Sequence, residues 1–235
     1  MFNLSIVLST FNEVANIKPT LNKLINKQCI KEIIIIDDNS NDGTIDILKT
    51  FNNPKIKFKI RKNIRGFASA FIDGLEIAKS DYILRFDLDM YESIDYFLEH
   101  FNKIDSDTDC LIFSRYINKG TDQRSIYRSF PSLIINKLCQ FFLYENIKDY
   151  TSCIILFKRE ILKNHYPKKT NYANFIIEFI FDLKRNNKVI KEIPFKQLKS
   201  TELNSKSAPN IFKFIFNGSL YLISIIKCLY IKLTN

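Results

Sequence analysis

Tryptophan is absent from the 235 residues, and glycine and proline number only five and six. That scarcity excludes collagen-like and low-complexity architectures, while 46% hydrophobic residues supply a packed core and exclude disorder. At roughly 150 residues per domain, the length fits one large domain or one domain with an appendage. The five cysteines, Cys29, Cys110, Cys139, Cys153 and Cys228, are widely spaced with no C-x-x-C. This argues against a zinc site or a disulfide framework and for a reducing compartment. The two histidines, His100 and His165, sit beside no plausible Ser or Cys nucleophile. No G-x-G-x-x-G follows the first apolar run and no G-x-x-x-x-G-K-[ST] occurs, so the glycine-rich phosphate cradles of dinucleotide and P-loop sites are missing. The first thirteen residues lack a basic leading segment, and no signal peptide is expected.

What is present begins with charge. A net charge of +10 biases the surface toward polyanions: nucleic acid, nucleotide phosphates or an anionic membrane. The aromatics recur at core spacing with no basic-aromatic stacking motif, so no nucleic-acid partner is expected. Apolar periodicity then predicts strands over 4–8, 33–36, 56–60 and 81–86, alternating with helices over 13–27, 43–51, 66–78 and 94–104. Ile33 to Ile36 is apolar on both faces, as a strand covered by helices on two sides must be. Strict strand-helix alternation argues for an α/β fold with a parallel, doubly wound sheet. Further on, strands are expected over 110–114, 152–157 and 189–195, with helices over 129–144 and 173–186. Residues 199–209 (KSTELNSKSAP) read as a polar loop or linker. The tail over 210–233 is hydrophobic, but its longest uncharged stretch, Phe214 to Ile226, is thirteen residues, short of the roughly 20 that span a bilayer. It fits an interfacial helix or, equally, a helix packed on the domain.

In an open parallel sheet, ligands bind beyond the carboxyl ends of the strands. Each early strand here ends in a polar cluster: Ser9 to Glu13, Asp37 to Gly43, Arg61 to Asn63, and Asp87-Leu88-Asp89. Residues two apart in an extended segment project to one side, so Asp87 and Asp89 can offer oxygen ligands to a hard cation such as Mg²⁺ or Mn²⁺. In the plainer alternative, Asp89 caps the following helix, and Asp37-Asp38 with Ser40 and Gly43 forms only a turn and an N-cap.

Taken in order, S-T-F-N-E (9–13), I-D-D-N-S-N-D-G-T (36–44), G-F-A-S-A-F-I-D-G-L (66–75), D-L-D (87–89), S-R-Y (114–116) and D-Y-T-S (149–152) resemble the family 2 glycosyltransferases of the GT-A fold. Within that family they resemble the polyprenyl- and dolichyl-phosphate mannosyl- and glucosyltransferases, from about Leu4 to Lys206. The resemblance implies a mostly parallel, Rossmann-like sheet flanked by helices as one domain over 1–206, with an appended helix over 207–235. It implies that Thr10, Phe11, Glu13, Ile36, Asp38, Asp87 and Leu88 hold the nucleotide-sugar, with Asp38 accepting from a base N–H. Lys206 would meet the diphosphate, and Asp87 and Asp89 would carry Mg²⁺ or Mn²⁺ at the leaving group. Arg115 and Arg128 would grip an acceptor phosphate, helped by Ser132, with Asp89, Arg115 and Arg128 as the catalytic set. The chain departs from the family pattern at Ser9, Ala68, Tyr91, Ile155, Ser200 and Leu203, where Pro, Gly, Gln, a basic residue, Arg and Gly are usual.

A sugar hydroxyl needs a positioned base to take its proton, whereas a phosphate monoester is already anionic. Between Ser114 and Ser132 stand Arg115, Arg124 and Arg128 but only Asp122 as a carboxylate, a balance that favours a phosphate acceptor. Arg124 is expected in a surface salt bridge. The expected activity is therefore inverting transfer of a hexose from GDP-mannose or a UDP-hexose to polyprenyl phosphate. It is expected at the cytoplasmic face of an anionic membrane, with a membrane-protein partner possible. The rivals are transfer to a glycan hydroxyl, with Asp122 or Asp149 as base, and a non-catalytic nucleotide- or partner-binding module.

Overall fold

The computed structural model describes residues 2–168, 170, 172–198 and 211–234. The expected linker over 199–209, with Lys206, Ser200 and Leu203, lies outside them. In chain order the elements begin β1 (Leu4–Thr10), α1 (Val14–Ile25), β2 (Ile30–Asp37), α2 (Thr44–Thr50), β3 (Ile56–Ile60), α3 (Phe67–Leu75), β4 (Tyr82–Arg85) and α4 (Ile94–Asn102). They continue β5 (Cys110–Ser114), β6 (Thr121–Asp122), α5 (Ile126–Phe142), β7 (Ile155–Lys158), α6 (Phe175–Arg185), β8 (Ile190–Pro194), β9 (Lys196–Gln197) and α7 (Ile211–Thr234). The fold is a mostly parallel sheet flanked by helices, as expected. The chain divides into two compact units: Met1–Cys110 with Cys153–Asn171, and Leu111–Ser152 with Tyr172–Asn235.

In the first unit the strand order is β3-β2-β1-β4-β7. The first four are parallel, and β7 runs antiparallel to β4. Ile33 to Ile36 are wholly buried, because helices cover both faces of β2. Helix α1 turns Ile17, Leu21 and Leu24 inward, the 3.6-residue stripe read from the sequence. Helix α3 is buried along its length and approaches β1 so closely that a Cβ on Gly74 would stand 2.4 Å from Val7 Cγ1. At the amino ends of these strands, Glu32 ties several elements together. It accepts from Ser5 Oγ at 2.6 Å, Lys57 Nζ at 2.5 Å and Lys79 N at 2.7 Å. Burial alone would raise its pKa, but these donors, Lys57 foremost, hold it at about 2.

In the second unit β5 lies beside β8, and the two-residue strands β6 and β9 form a separate parallel pair. Those two are too short to leave a periodic trace and were not expected. Helix α7 packs on α5 and α6. Helix α5 starts at Ile126 rather than Ser129, because Pro131 in its second turn removes only one backbone bond and does not delay nucleation. The strand expected from Ser152 starts at Ile155. Ser152 is diverted, its hydroxyl donating to Phe113 O at 2.7 Å. A 3₁₀ turn over Leu88–Ser93 separates β4 from α4. All five cysteines are free thiols.

Candidate active site

The parallel strands of the first unit bring their polar carboxyl ends to one edge, where side chains lock the loops together. Thr10 Oγ1 donates to Asp37 Oδ2 at 2.8 Å, Asn12 N to Ser40 Oγ at 2.8 Å, and Glu13 N to Thr44 Oγ1 at 2.9 Å. Asp42 receives Val14 N at 3.0 Å and Thr44 N at 3.0 Å, so one carboxylate serves the starts of both α1 and α2. Asn12 and Asn39 both take left-handed backbone (φ 55° and 58°), which asparagine tolerates better than most residues. The motifs at 9–13 and 36–44 are therefore two halves of one pre-organised rim.

The adjacent aspartates have separate duties. Asp37 is wholly buried and accepts from Thr10, Ser40 N and Ser40 Oγ, which makes it the turn residue of the plainer alternative. Asp38 instead lines an open cleft of about 390 Å³ with Phe11, Asn39, Asn41, Lys62, Asn63, Ile64 and Arg65. Its carboxylate is aimed by Arg61, whose Nε lies 2.6 Å from Oδ1, and by Gly66 N at 2.8 Å from Oδ2. Arg61 is held in turn by Ser69 Oγ at 3.0 Å and Asp73 Oδ2 at 3.2 Å. Burial raises the Asp38 pKa, outweighing the Gly66 N–H and Arg61. The Arg65 guanidinium stands 3.4 Å from the centre of the Phe11 ring. A flat face, a fixed carboxylate and two cations suit a heterocyclic base carrying phosphates. Glu13 sits on the rim, its Oε2 taking Asn16 Nδ2 at 2.8 Å. Ile36 is buried, and its carbonyl accepts from Thr10 Oγ1 at 3.4 Å.

Asp87 and Asp89 close β4. Asp87 pairs with the buried Arg85, which also donates to Cys153 O at 2.6 Å and lies 4.1 Å from the centre of the Phe67 ring. Arg85 thus aims Asp87 from below, while the Asp87 side chain keeps 44% of its surface exposed. Leu88 is buried and its carbonyl accepts from Thr20 Oγ1 at 3.3 Å, anchoring the turn that presents Asp89 to solvent. No three His, Cys, Asp or Glu side chains gather among the described residues. Two exposed oxygen donors with the remaining positions open fit Mg²⁺ or Mn²⁺, which commonly take one or two carboxylates together with phosphate and water.

In the second unit, the residues expected at an acceptor phosphate occupy different settings. Arg115 is buried. Its Nε and Nη2 donate to the two oxygens of Asp149 at 2.8 and 2.7 Å, and Nη2 also reaches Thr151 Oγ1 at 2.7 Å. Burial alone would lower its pKa, but Asp149 raises it above the usual arginine value. Arg115 is a strut for the 149–151 loop in this arrangement. Ser132 Oγ lies 2.8 Å from Thr151 Oγ1, joining the same network through α5. Arg128, in the first turn of α5, is half-buried. Asp122 is 4% exposed and clasped by Arg124 at 2.8 and 2.6 Å. Burial pushes its pKa up, but Arg124 holds it below the usual carboxylate range. Asp149 is 0% exposed, and Glu192 receives its backbone N at 2.9 Å. The sequence places Arg61 in a strand-end cluster and Asp73 in the 66–75 motif without pairing them, and it gives Arg85 and Glu192 no supporting role. An isolated charge in a strand or helix pattern was the available signal, but except for the Arg85–Asp87 pair the partners lie well apart along the chain.

Residues 5–166 match the model of glycosyl transferase family 2. A poly-beta-1,6-N-acetyl-D-glucosamine synthase of Staphylococcus epidermidis is 33% identical over 105 residues, 43% of this chain and 26% of that protein. The dolichol-phosphate mannosyltransferase of Saccharomyces cerevisiae is 30% identical over 93 residues, 37% of this chain and 35% of that protein. The matches therefore span about a quarter to a third of these relatives. Glucosyl-3-phosphoglycerate synthase from Mycobacterium tuberculosis, crystallised with uridine diphosphate, matches with a TM-score of 0.71 at 13% identity, over 97% of this chain and 80% of that one. At that identity the likeness speaks for the fold. With rim, cleft and carboxylate pair in place and the family match covering more than half its length, the chain belongs to glycosyl transferase family 2.

Proposed function

We propose that the chain transfers a hexose from a nucleotide-sugar, GDP-mannose or a UDP-hexose, to polyprenyl phosphate, inverting the anomeric carbon by direct displacement. The observation that carries this reading is the state of Asp122 and Asp149, the carboxylates that a hydroxyl acceptor would need as base. Arg124 clasps one and Arg115 the other, and neither is open to solvent. An acceptor that arrives already ionised needs no base. The likeness to the dolichol-phosphate mannosyltransferase supports the same choice.

In this reading Phe11 and Asp38 hold the base, with Thr10 and Glu13 fixing the rim. Arg65 lies over the Phe11 face, and Lys62 faces the phosphates from the cleft wall. Asp87 and Asp89 hold Mg²⁺ or Mn²⁺, in keeping with a fold neighbour crystallised with Mn²⁺ and uridine diphosphate. When bound, the cation neutralises charge building on the departing nucleoside diphosphate. Arg85 keeps Asp87 oriented. Arg128 grips the acceptor phosphate, while Arg115 and Ser132 position it through Thr151. Lipid phosphate places the enzyme at the cytoplasmic face of a membrane, where a membrane protein can join it.

The test is a pair of variants assayed with polyprenyl phosphate. Asp122→Asn should lower kcat less than tenfold, since losing a general base costs about 10²- to 10⁴-fold. Arg128→Ala should raise KM for the lipid phosphate about tenfold or more and spare donor hydrolysis. A hundredfold fall in kcat for Asp122→Asn, or equal loss of transfer and hydrolysis for Arg128→Ala, contradicts the reading.

A further inference from the structure

Two helices of the second unit bury polar side chains while leaving many large apolar ones outside, and we infer that their outer faces together seat the chain on an anionic lipid bilayer. Along α7, Asn217, Ser224 and Cys228 are buried at spacings of seven and four that form one stripe, with Ile225 beside it. That stripe is bonded to α6. Asn174 Nδ2 donates to Ser224 Oγ at 2.9 Å, Ser224 Oγ donates to Glu178 Oε1 at 2.9 Å, and Lys227 pairs with the same carboxylate. The opposite side presents Ile215, Leu222, Ile226 and Leu233, flanked by Phe216, Ile223 and Tyr230, all exposed. Helices on a water-soluble surface show the reverse arrangement.

Helix α5 also buries a polar side chain, between Ile135 and Cys139. Asn136 is buried, donating to Thr151 Oγ1 at 2.8 Å and accepting Tyr150 N at 2.6 Å. Outside stand Ile126, Tyr127 (82% exposed), Phe130, Ile134 and Phe141. The two helices pack on each other, and Lys232 of α7 reaches Phe142 O at 3.2 Å. An exposed apolar surface of this extent marks an interaction site.

Charge selects the occupant. Neither helix contains Asp or Glu; Lys227 of α7 is neutralised by Glu178, which leaves Arg128 and the exposed Lys137 of α5 and the exposed Lys232 of α7. An apolar, aromatic-bearing face with basic residues and no acidic one complements a layer of anionic headgroups over acyl chains. Residues 215–234 are long and apolar enough to cross a membrane. Crossing, however, would strip Ser224 and Lys227 from Glu178 and place a cation in hydrocarbon, so the helix lies on the bilayer with α5 beside it. The lipid acceptor proposed above gives this surface its purpose, and the two ideas fail separately.

The test uses the full chain, vesicles of phosphatidylcholine with or without phosphatidylglycerol, and no sugar donor. Cosedimentation should be at least tenfold stronger with the anionic vesicles. Ile126→Ser, Tyr127→Ser and Phe130→Ser combined, or Phe216→Ser, Ile223→Ser and Tyr230→Ser combined, should each reduce it about tenfold or more with nucleotide binding and melting temperature kept. Because the chain has no tryptophan, Tyr127→Trp and Tyr230→Trp each supply a single reporter. Both should shift to the blue and be quenched by lipids brominated at shallow depth. Unchanged partition of the α5 combination, a stable dimer that hides both reporters, or deep quenching of the α7 reporter alone would overturn the inference. Vesicle binding without transfer to lipid phosphate leaves it standing and removes the proposed acceptor. Transfer to detergent-dissolved acceptor without vesicle binding does the reverse.

Discussion

Asp87 and Asp89 differ in how the chain holds them, and that difference sets what each substitution does. Arg85 is buried and reaches Asp87 from below, so removing Asp87 leaves a cation in the core without its carboxylate and endangers the fold. Asp89 stands exposed on the 3₁₀ turn. Asp89→Ala should abolish metal-dependent nucleotide binding, read by calorimetry with and without Mn²⁺, while the chain still folds. Unchanged metal dependence would remove Asp89 from the site. The same contrast explains which site residues were legible in sequence. Phe11, Asp38, Asp87 and Asp89 announce themselves through short motifs at strand ends. Arg61, Asp73 and Glu192 act through partners 8 to 44 residues away in sequence, and such distances become visible only when the chain is folded. Arg115 shows the limit of the motif: S-R-Y marks the residue, but its enclosure by Asp149 and Thr151 follows from the loop that packs over it.

At the scale of elements, periodicity located most helices and strands, because helices covering both sheet faces leave plain apolar stripes. It missed β6 and β9, which have two residues each, and it could not say that β7 runs antiparallel to β4, since strand direction leaves no mark on a buried apolar run. What ties the parallel strands at their amino ends is Glu32, joined to β1 through Ser5, to β3 through Lys57 and to the segment after α3 through Lys79 N. Its folded pKa of about 2 lies below the ordinary 4.5. The clamp therefore contributes its full stability above the ordinary value and loses it as pH falls from there toward 2. Glu32→Gln should destabilise the chain by about 2 kcal/mol at neutral pH and flatten the acid limb of the stability profile, as denaturant melts at stepped pH would show. An acid limb identical to that of the parent would mean that the clamp contributes nothing.

For the whole molecule, the central claim is a division of chemistry. In the proposed reading the first unit would hold the nucleotide-sugar at the carboxyl edge of its parallel strands, and the second, in which both candidate bases are engaged, would receive the acceptor. The fold class and the polar strand ends were readable in sequence because they rest on local motifs. The outward apolar faces of α5 and α7 were not, because hydrophobicity alone does not tell an inward stripe from an outward one. One measurement tests the claim most directly: purified chain with Mn²⁺ or Mg²⁺, radiolabelled GDP- and UDP-sugars, and either short-chain polyprenyl phosphate or a free oligosaccharide as acceptor, followed by phase separation. The account predicts metal-dependent label in the organic phase with one donor of the panel and none on the oligosaccharide. Label on the oligosaccharide, or nucleotide binding without transfer to either acceptor, would contradict it.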